Sequence, residues 1–301
     1  MGPDDAAGRE YAQGPPIASV SVRYPLLNKR VLVTGGAGGL GRLLALGAAE
    51  RGASVVIWDR AGEAAERVCR EIRSGGPNGA GAKAEAFAVD VADRVAVAKA
   101  AATTGAVDVL INNAGVVSGK KLLEAEDHEI ERTFAVNVQS LYWVTRAFLG
   151  GMVTRGHGTV VTVASAAGLV GVPRQTDYSA SKFAAFGFAE SLRCELTKDG
   201  TGVNSLVVCP SYISTGMFDG VRTRFPLLLP ILRPETVAAR TLTCIEKGSS
   251  QLVMPRLARA IPVARAMPVK LFDRTMSFFG VSSSMDSFRG HQRSSASARS
   301  E

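Results

Sequence analysis

Tyr178 and Lys182 are two residues whose types and spacing point to chemistry. They lie four positions apart in the amphipathic stretch YSASKFAAFGFAESLRCEL. On a helix such positions share one face, about one turn apart. A free phenol has a pKa of about 10. A nearby ammonium group lowers that pKa, so we expect Tyr178 to act as a general acid or base. The structural alternative is an ordinary pair on a packed helix, because this spacing also arises by chance.

Two further polar residues accompany apolar segments upstream. Ser165 follows the apolar run 158–164, and we expect its hydroxyl to donate a hydrogen bond to an oxyanion that develops on the substrate. Asn137 lies in the otherwise apolar stretch FAVNVQSLYWV. Its functional interpretation is that it positions a water that relays protons to Lys182. The alternatives are a capping or turn role for Ser165 and a packed, backbone-bonded amide for Asn137.

A glycine-rich segment, TGGAGGLG at residues 34–41, follows the apolar run 30–34 and precedes a helical stretch. A tight strand-to-helix turn needs glycine where a side chain is excluded. The free N–H groups at the start of the helix then suit a pyrophosphate. Glycine-rich loops also serve as mere turns, but the strand before and the helix after predict a dinucleotide-binding turn here.

Asp59 ends the second apolar run, 18 residues after Gly41. An acidic side chain at this place can accept hydrogen bonds from both ribose hydroxyls of adenosine. A 2′-phosphate would meet a carboxylate, so the sequence favours NAD over NADP, although the adjacent Arg60 softens that repulsion. The structural alternative is a strand-end residue that faces water.

The elements that must position these residues are short β-branched runs alternating with Ala-rich helical stretches. The runs are residues 30–34, 54–59, 84–91, 107–112, 158–164, 203–209 and 251–255. Most are continuously apolar, as expected of parallel strands covered on both faces. The sequence therefore predicts an α/β fold: a single Rossmann-type, doubly wound, parallel seven-stranded sheet with helices on both faces. Ligands bind outside the carboxyl ends of such strands, which places Asp90, Val91 and residues 112–115 in the crevice.

Taken together, these motifs resemble the short-chain dehydrogenase/reductase family. Its pattern T-G-x-x-x-G-x-G, D-V and N-N-A-G is matched at residues 34–41, 90–91 and 112–115, and the resemblance covers about residues 30–255. It implies hydride transfer to or from nicotinamide and a tetrad of Asn137, Ser165, Tyr178 and Lys182. Ser211 departs from the usual glycine after Pro210. The cofactor-binding residues that we predict are Thr34, Gly35, Gly39, Leu40, Gly41, Asp59, Asp90, Val91, Asn112, Ala114, Gly115, Tyr178, Lys182, Pro210, Ile213 and Thr215.

The segments around the tetrad are apolar, which favours a lipophilic alcohol as substrate. Core or subunit packing is the alternative reason for that apolarity. The longer stretches NNAGVVSGKKLLE, CPSYISTGMFDG and GVSSSMDSFRG resemble the retinol dehydrogenase branch and its 17-beta-hydroxysteroid dehydrogenase relatives. This resemblance implies NAD-dependent oxidation of retinol, a steroid or a long-chain alcohol, and a homodimer or homotetramer. The competing functions are an NADPH-dependent carbonyl or 3-oxoacyl reductase and an inactive nucleotide-binding scaffold at lipid surfaces.

The net charge of +8 bears on partners. Residues 255–301 carry eight Lys or Arg and three acidic residues, so most of the excess lies there. We expect no nucleic-acid binding, because the basic residues are not interleaved with a reader motif. The basic, apolar stretch 254–279 instead suggests peripheral contact with an anionic membrane, or else a structural extension. Four cysteines without C-x-x-C spacing and three histidines predict no metal site.

The chain divides into three predicted parts. Residues 1–28 form a flexible leader without a secretory signal. Residues 29–255 form the NAD-binding catalytic domain, with a lid at about 211–236. Residues 256–301 form a basic extension that is disordered from about residue 282, where serine is frequent. We expect a cytoplasmic protein, peripheral to an intracellular membrane or lipid droplet.

Overall fold

Seven parallel strands form one sheet in the order β3-β2-β1-β4-β5-β6-β7, which confirms the predicted fold class. A computed structural model describes residues 24–75 and 82–290 of the chain. The strands are β1 (Arg30–Thr34), β2 (Ser54–Asp59), β3 (Ala84–Ala88), β4 (Val109–Asn112), β5 (Gly158–Val163), β6 (Val203–Pro210) and β7 (Gln251–Met254).

Helices connect the strands and cover both faces of the sheet. They are α1 (Gly39–Ala49), α2 (Gly62–Arg73), α3 (Arg94–Thr104), α4 (Asp127–Phe134), α5 (Ser140–Arg155), α6 (Thr176–Lys198), α7 (Pro234–Glu246), α8 (Ile261–Ala264) and α9 (Val269–Phe278). A π-helical turn, Ala135–Gln139, joins α4 to α5. Short 3₁₀ helices lie at Ala166–Gly168, Arg256–Ala260 and Val281–Ser283.

Two hydrophobic cores lie on opposite faces of the sheet. Val31 and Val33 of β1 belong to one core together with Leu44 of α1. Leu32, the residue between them, belongs to the other core together with Phe148 of α5. Successive strand residues point to opposite faces, so a strand that is buried on both faces is apolar at every position. This burial explains the continuous apolar runs of the sequence.

The order of the strands creates the crevice in which the site lies. β1 pairs with β2 on one side and with β4 on the other, so the chain leaves β1 in one direction and returns on the opposite side. A crevice opens at the carboxyl ends of the two strands on either side of such a reversal.

Several strands end earlier or later than the sequence predicts. β3 stops at Ala88 rather than at residue 91, because Ala88 pairs with Asp59, the last residue of β2. Asp90 and Val91 therefore lie in the loop beyond the strand. β4 begins at Val109 rather than at residue 107, and β6 runs one residue further, to Pro210.

The lid region has little regular structure. Between Pro210 and Pro234 the chain contains turns and one isolated bridge, which pairs Ile213 with Leu232. Pro234 then lies at the start of α7, where its missing N–H costs no hydrogen bond.

Both ends of the described chain pack against the domain, contrary to two expectations. Leu26, within the predicted flexible leader, is fully buried. Residues 282–290, predicted to be disordered, include the buried Ser284 and Met285. The remaining parts of those two predictions, at residues 1–23 and 291–301, lie outside the described residues. Across residues 24–75 and 82–290, no helix has the length and apolarity that crossing a bilayer requires.

Candidate active site

Helix α6 carries Tyr178 and Lys182 on one face, as their spacing predicts. Both side chains are buried, and the Nζ atom of Lys182 lies 5.6 Å from the centre of the Tyr178 ring. Nζ donates a hydrogen bond of 2.9 Å to the carbonyl of Val163, the last residue of β5. The ammonium group is therefore tied to the carboxyl end of β5, beside the tyrosine.

Ser165 lies two residues beyond the end of β5 and is buried beside Tyr178. Its Oγ accepts a hydrogen bond from the Ala167 N–H at 3.1 Å and donates a long one, 3.4 Å, to the carbonyl of Pro210. It also lies within hydrogen-bonding reach of the Tyr178 hydroxyl. The structure thus combines the capping role of Ser165 with a position next to the phenol.

Burial dominates the ionisation of this pair. It raises the pKa of Tyr178, and the hydrogen bond with Ser165 offsets only part of that rise. Burial also lowers the pKa of Lys182 to about 8. We predicted that the ammonium would lower the pKa of the phenol. The structure contradicts this, because in the buried site the desolvation of the phenolate outweighs the hydrogen bond with Ser165.

Asn137 lies in the π-helical turn that follows α4. Its Oδ1 accepts a hydrogen bond from the Val116 N–H at 2.8 Å, and its Nδ2 donates to the Val116 carbonyl at 2.9 Å and to the Ser181 hydroxyl at 3.0 Å. The side chain is therefore packed and hydrogen-bonded, and the role of Asn137 in positioning a water stays a prediction. A Cβ atom added at Gly115 would lie 3.4 Å from this Oδ1 and 3.5 Å from the Lys182 Nζ, so the three residues are close neighbours.

The glycine-rich turn requires glycine at two positions in particular. A Cβ atom at Gly41 would lie 2.1 Å from the carbonyl oxygen of Gly35. Gly35 itself has φ +65°, and a Cβ there would lie 2.9 Å from the Cα of Ala114. The turn and the loop after β4 are therefore in backbone contact, and the first residues of α1 face the crevice.

Asn113, which the sequence analysis did not single out, locks these two segments together. Its Nδ2 donates to the carbonyls of Thr34 and Gly35 at 3.0 and 3.2 Å. The Thr34 hydroxyl in turn accepts hydrogen bonds from the backbone N–H groups of Asn113 and Ala114, at 3.0 and 3.1 Å. The only sequence signal was its place in the N-N-A-G motif.

Two acidic side chains lie at the far end of the crevice. Asp59 accepts hydrogen bonds of 3.0 Å from the N–H groups of Ala37 and Ala61. Asp90 forms a bidentate ion pair with Arg132 of α4, at 2.9 and 3.2 Å. Burial alone would raise the pKa of Asp90, but the hydrogen bonds from Arg132 and Ala92 outweigh it and lower the pKa. No local sequence pattern points to Arg132, because it lies 42 residues from its partner.

A cavity of about 620 Å³ joins most of the predicted residues into one site. The predicted residues that line it are Gly35, Gly39, Leu40, Gly41, Asp59, Asp90, Val91, Ala114, Gly115, Ser165, Tyr178, Lys182, Pro210, Ile213 and Thr215. Thr34, Asn112 and Asn137 are buried and are not among its lining residues. Asn112 was predicted to bind the cofactor, but its amide donates to the Thr145 hydroxyl of α5 at 3.0 Å, so its side chain joins two elements instead.

Aromatic residues of the lid enclose the end of the cavity nearest Tyr178. The Phe218 ring meets Tyr178 edge-to-face with centroids 5.7 Å apart, and it meets Tyr212 in the same way at 5.3 Å. A second cavity of about 90 Å³ adjoins Tyr178 and Ser165 and has mainly apolar walls. One end of the crevice is thus rich in backbone N–H groups and the other is apolar.

Comparisons with known proteins decide the family. The model of the family described as "short chain dehydrogenase" matches residues 29–224. The chain belongs to the short-chain dehydrogenase family. Within this family it is 41% identical over 270 residues to short-chain dehydrogenase/reductase family 16C member 6 of Bos taurus, covering 88% of this chain and 84% of that protein. It is 39% identical to epidermal retinol dehydrogenase 2 of Homo sapiens over 264 residues, 86% of this chain and 84% of that protein. The resemblance to the retinol dehydrogenase branch is therefore confirmed, and the chain is an oxidoreductase.

Solved structures of the family share the fold. A short-chain dehydrogenase/reductase from Burkholderia phymatum in complex with NAD has a TM-score of 0.72 at 25% identity, covering 82% of this chain and 96% of that one. A metagenomic short-chain oxidoreductase in complex with NADP has a TM-score of 0.63 at 28% identity, covering 76% and 98%. The glycine turn, which admits no Cβ at Gly41, and the large cavity beside it fit a nicotinamide dinucleotide of either kind.

Proposed function

We propose that this family member interconverts a lipophilic alcohol and its carbonyl with NAD, and that Tyr178 is the general acid and base. The observation that carries the proposal is one cavity that is lined by the glycine turn, by Asp59, and by Ser165 and Tyr178. Cofactor-binding and proton-transferring groups thus border the same space.

Each side chain of the site has a role in this reaction. The bound nicotinamide supplies the hydride acceptor or donor. Tyr178 takes the hydroxyl proton during oxidation and returns it during reduction, and Ser165 holds the substrate oxygen by a hydrogen bond. With its raised pKa, Tyr178 is protonated at neutral pH and therefore ready to donate to a carbonyl, whereas in oxidation the phenol must first release its proton to water before it takes that of the alcohol. Lys182 is held to Val163 next to the phenol, and Asn137 fixes the loop at Val116 that borders them.

The preference for NAD rests on Asp59. Its carboxylate is held by the Ala37 N–H of the glycine turn, which places a negative charge at the start of the phosphate-binding segment. A 2′-phosphate at this point would meet that charge, whereas ribose hydroxyls can donate to it. Arg60 also lines the cavity, so the reductase with NADPH is the outcome that a cofactor comparison must exclude.

The lipophilic substrate class rests on the walls near Tyr178. The smaller cavity is lined by Val170, Val172, Leu229, Ile261 and Phe279, with few polar groups. Such a site favours a retinoid, a steroid or a long-chain alcohol over a sugar. Named relatives of the chain include epidermal retinol dehydrogenase 2 and estradiol 17-beta-dehydrogenase 11, which support the retinoid and the steroid among these three.

The partner that we propose for assembly is a second copy of the chain, as a homodimer or in a homotetramer. Helices α5 and α6 carry the exposed apolar side chains Tyr142, Val153 and Phe183. Burying these side chains against a copy of the same helices would remove apolar area from water. Sedimentation velocity tests this: a monomer at micromolar concentration contradicts the assembly without affecting the proposed reaction.

We also propose a peripheral membrane contact through the C-terminal helices. Neither α8 nor α9 has a buried residue, and their exposed apolar side chains include Val263, Val269 and Leu271. Lys270 and Arg274 lie on α9, and their positive charges suit an anionic lipid surface. We expect the protein to sediment with phosphatidylserine vesicles at low salt and not with phosphatidylcholine vesicles. If the protein stayed in the supernatant equally with both kinds of vesicle, the proposed membrane contact would be contradicted.

An assay of nicotinamide reduction tests the proposed reaction directly. Purified protein is given NAD or NADP together with all-trans-retinol, a hydroxysteroid or an aliphatic alcohol, and the reverse reaction is run with the matching carbonyls. We expect turnover with NAD and with lipophilic alcohols. Turnover only with NADPH and carbonyls would favour the reductase, and no turnover with bound cofactor would favour the inactive scaffold.

A further inference from the structure

The chain returns to the active site after α9. Gly280 follows α9 with φ +79°, in contact with Arg224 of the lid, and lets the chain turn back. We call residues 280–290 the C-terminal strap. Within it Ser284 and Met285 are buried, with Met285 only 1% exposed.

Polar contacts bind the strap to the walls of the site. The Ser284 hydroxyl lies 2.8 Å from the hydroxyl of Tyr212, two residues beyond the end of β6. The Gln175 amide, three residues before Tyr178, lies 3.0 Å from the sulfur of Met285. The backbone N–H of Arg289 donates to the carbonyl of Asp219 in the lid at 2.8 Å. The strap is thus held at three places around the catalytic tyrosine.

Phe288 is the strap residue that reaches the catalytic cavity. Its ring lies so close to Gly119 that a Cβ added there would be 1.9 Å from the ring. Its centroid is 6.4 Å from that of Phe218, and Phe218 in turn packs on Tyr178. Phe218 and Phe288 both line the cavity that contains Ser165 and Tyr178.

We infer that Phe288 is a specificity-determining residue of the alcohol site, which deepens the proposed function and rests on it. Phe218 packs on Tyr178 and Phe288 lies beyond Phe218, so the two rings form an apolar wall against the part of the substrate that extends away from the reacting carbon. The favoured substrates are alcohols with a long or ring-shaped hydrocarbon body, because burying that body against the two rings supplies binding energy. A short alcohol does not reach Phe288 and gains nothing from it.

A Phe288→Ala variant tests the inference, with Phe278→Ala as the matched control. Phe278 is 58% exposed on α9 and does not line the cavity, so its truncation removes the same atoms elsewhere. We expect Phe288→Ala to raise the KM for a long or ring-shaped alcohol about tenfold or more, with kcat and the NAD dissociation constant changed less than about threefold. This fold-change corresponds to losing one good apolar contact. The KM for a short aliphatic alcohol stays unchanged, as does every constant of Phe278→Ala.

A binding measurement separates this inference from the reaction itself. Retinol fluorescence reports association with the NAD-loaded protein whether or not turnover occurs, and the same tenfold loss is expected there. Absence of turnover in the wild type would contradict the proposed function. A loss of retinol binding in Phe288→Ala would still support the inference that Phe288 contacts the hydrocarbon body of the substrate. Should Phe288→Ala fail to fold, Phe288→Leu keeps an apolar side chain and is measured instead. Equal long-alcohol and retinol binding by wild type and the Phe288 variant would overturn the inference.

Discussion

The Nζ atom of Lys182 donates its hydrogen bond to the carbonyl of Val163, at 2.9 Å, in a site where both residues of the Tyr178–Lys182 pair are buried. Lys182 is thus anchored to the strand that leads to Ser165. Its charge has only one hydrogen-bond acceptor among the described residues, and burial lowers its pKa to about 8.

The lowered pKa predicts a pH-dependent stability that belongs to Lys182. Below pH 8 the ammonium is charged in both states, and its burial reduces the free energy of unfolding. As the pH rises from about 8 to about 10.4, the ordinary pKa of lysine, the folded state loses the proton first and the penalty disappears. The free energy of unfolding therefore rises by about 3 kcal/mol across this pH range, because each pKa unit corresponds to about 1.4 kcal/mol.

Urea unfolding of wild type and Lys182→Met across this pH range measures the effect. We expect Lys182→Met to be more stable than wild type at pH 7 and the difference to shrink by pH 10. Tyr24 and Cys69, whose pKa values are raised by burial and not affected by Lys182, act alike in both proteins and cancel. Lys198→Met, an exposed change on the same helix, serves as the control for the loss of a lysine.

Tyr178→Phe removes the hydroxyl that transfers the proton. Because general acid–base catalysis contributes roughly 10²- to 10⁴-fold, we expect kcat to fall at least about 100-fold. The NAD dissociation constant, measured by titration, should change less than about twofold, because the ring and its contact with Phe218 remain. Tyr24→Phe, which removes a hydroxyl that contacts His157 outside the cavity, is the control. Unchanged turnover in Tyr178→Phe would contradict the proposed mechanism.

Asp59→Asn tests the choice of cofactor. The amide oxygen can still accept the Ala37 N–H, but the negative charge is gone, so the repulsion of a 2′-phosphate disappears. We expect the ratio of NADP to NAD dissociation constants to fall about tenfold, which corresponds to about 1.4 kcal/mol. Glu63→Gln makes the same charge change on the exposed face of α2 and should leave the ratio alone. A ratio that does not move in Asp59→Asn would remove Asp59 from cofactor selection.

Two glycines of the turn separate folding from cofactor binding. A Cβ at Gly41 would collide with the Gly35 carbonyl, so Gly41→Ala should lose about 1–3 kcal/mol of unfolding free energy. Gly38 has an extended backbone, and a Cβ there would meet nothing within 4 Å, so Gly38→Ala should unfold like wild type. Because Gly38 lines the cavity, we expect the Gly38→Ala variant to bind NAD at least tenfold more weakly than wild type does. Calorimetric unfolding and NAD titration measure the two effects, and wild-type binding by Gly38→Ala would mean that the cofactor does not rest on this residue.

The sequence alone determined the features that depend only on residues close together along the chain. The glycine turn, the alternation of strands with helices and the Tyr178–Lys182 spacing are local patterns, and each dictates its own short piece of backbone. The fold class followed from them, since buried parallel strands must be apolar on both faces. Most of the cavity lining followed as well, because the carboxyl ends of such strands meet at one edge.

Only the tertiary structure decided where single side chains point and what surrounds them. Asn112 and Asn113 are adjacent and identical, yet one bonds to α5 and the other to the glycine turn, because successive side chains leave a strand on opposite faces. Residues 282–290 of the Ser-rich segment pack against the domain because Met285 and Phe288 meet a groove built from distant parts of the chain. The pKa of Tyr178 was likewise a tertiary property, since it is set by the depth of burial and by a hydrogen bond with Ser165 from another part of the fold.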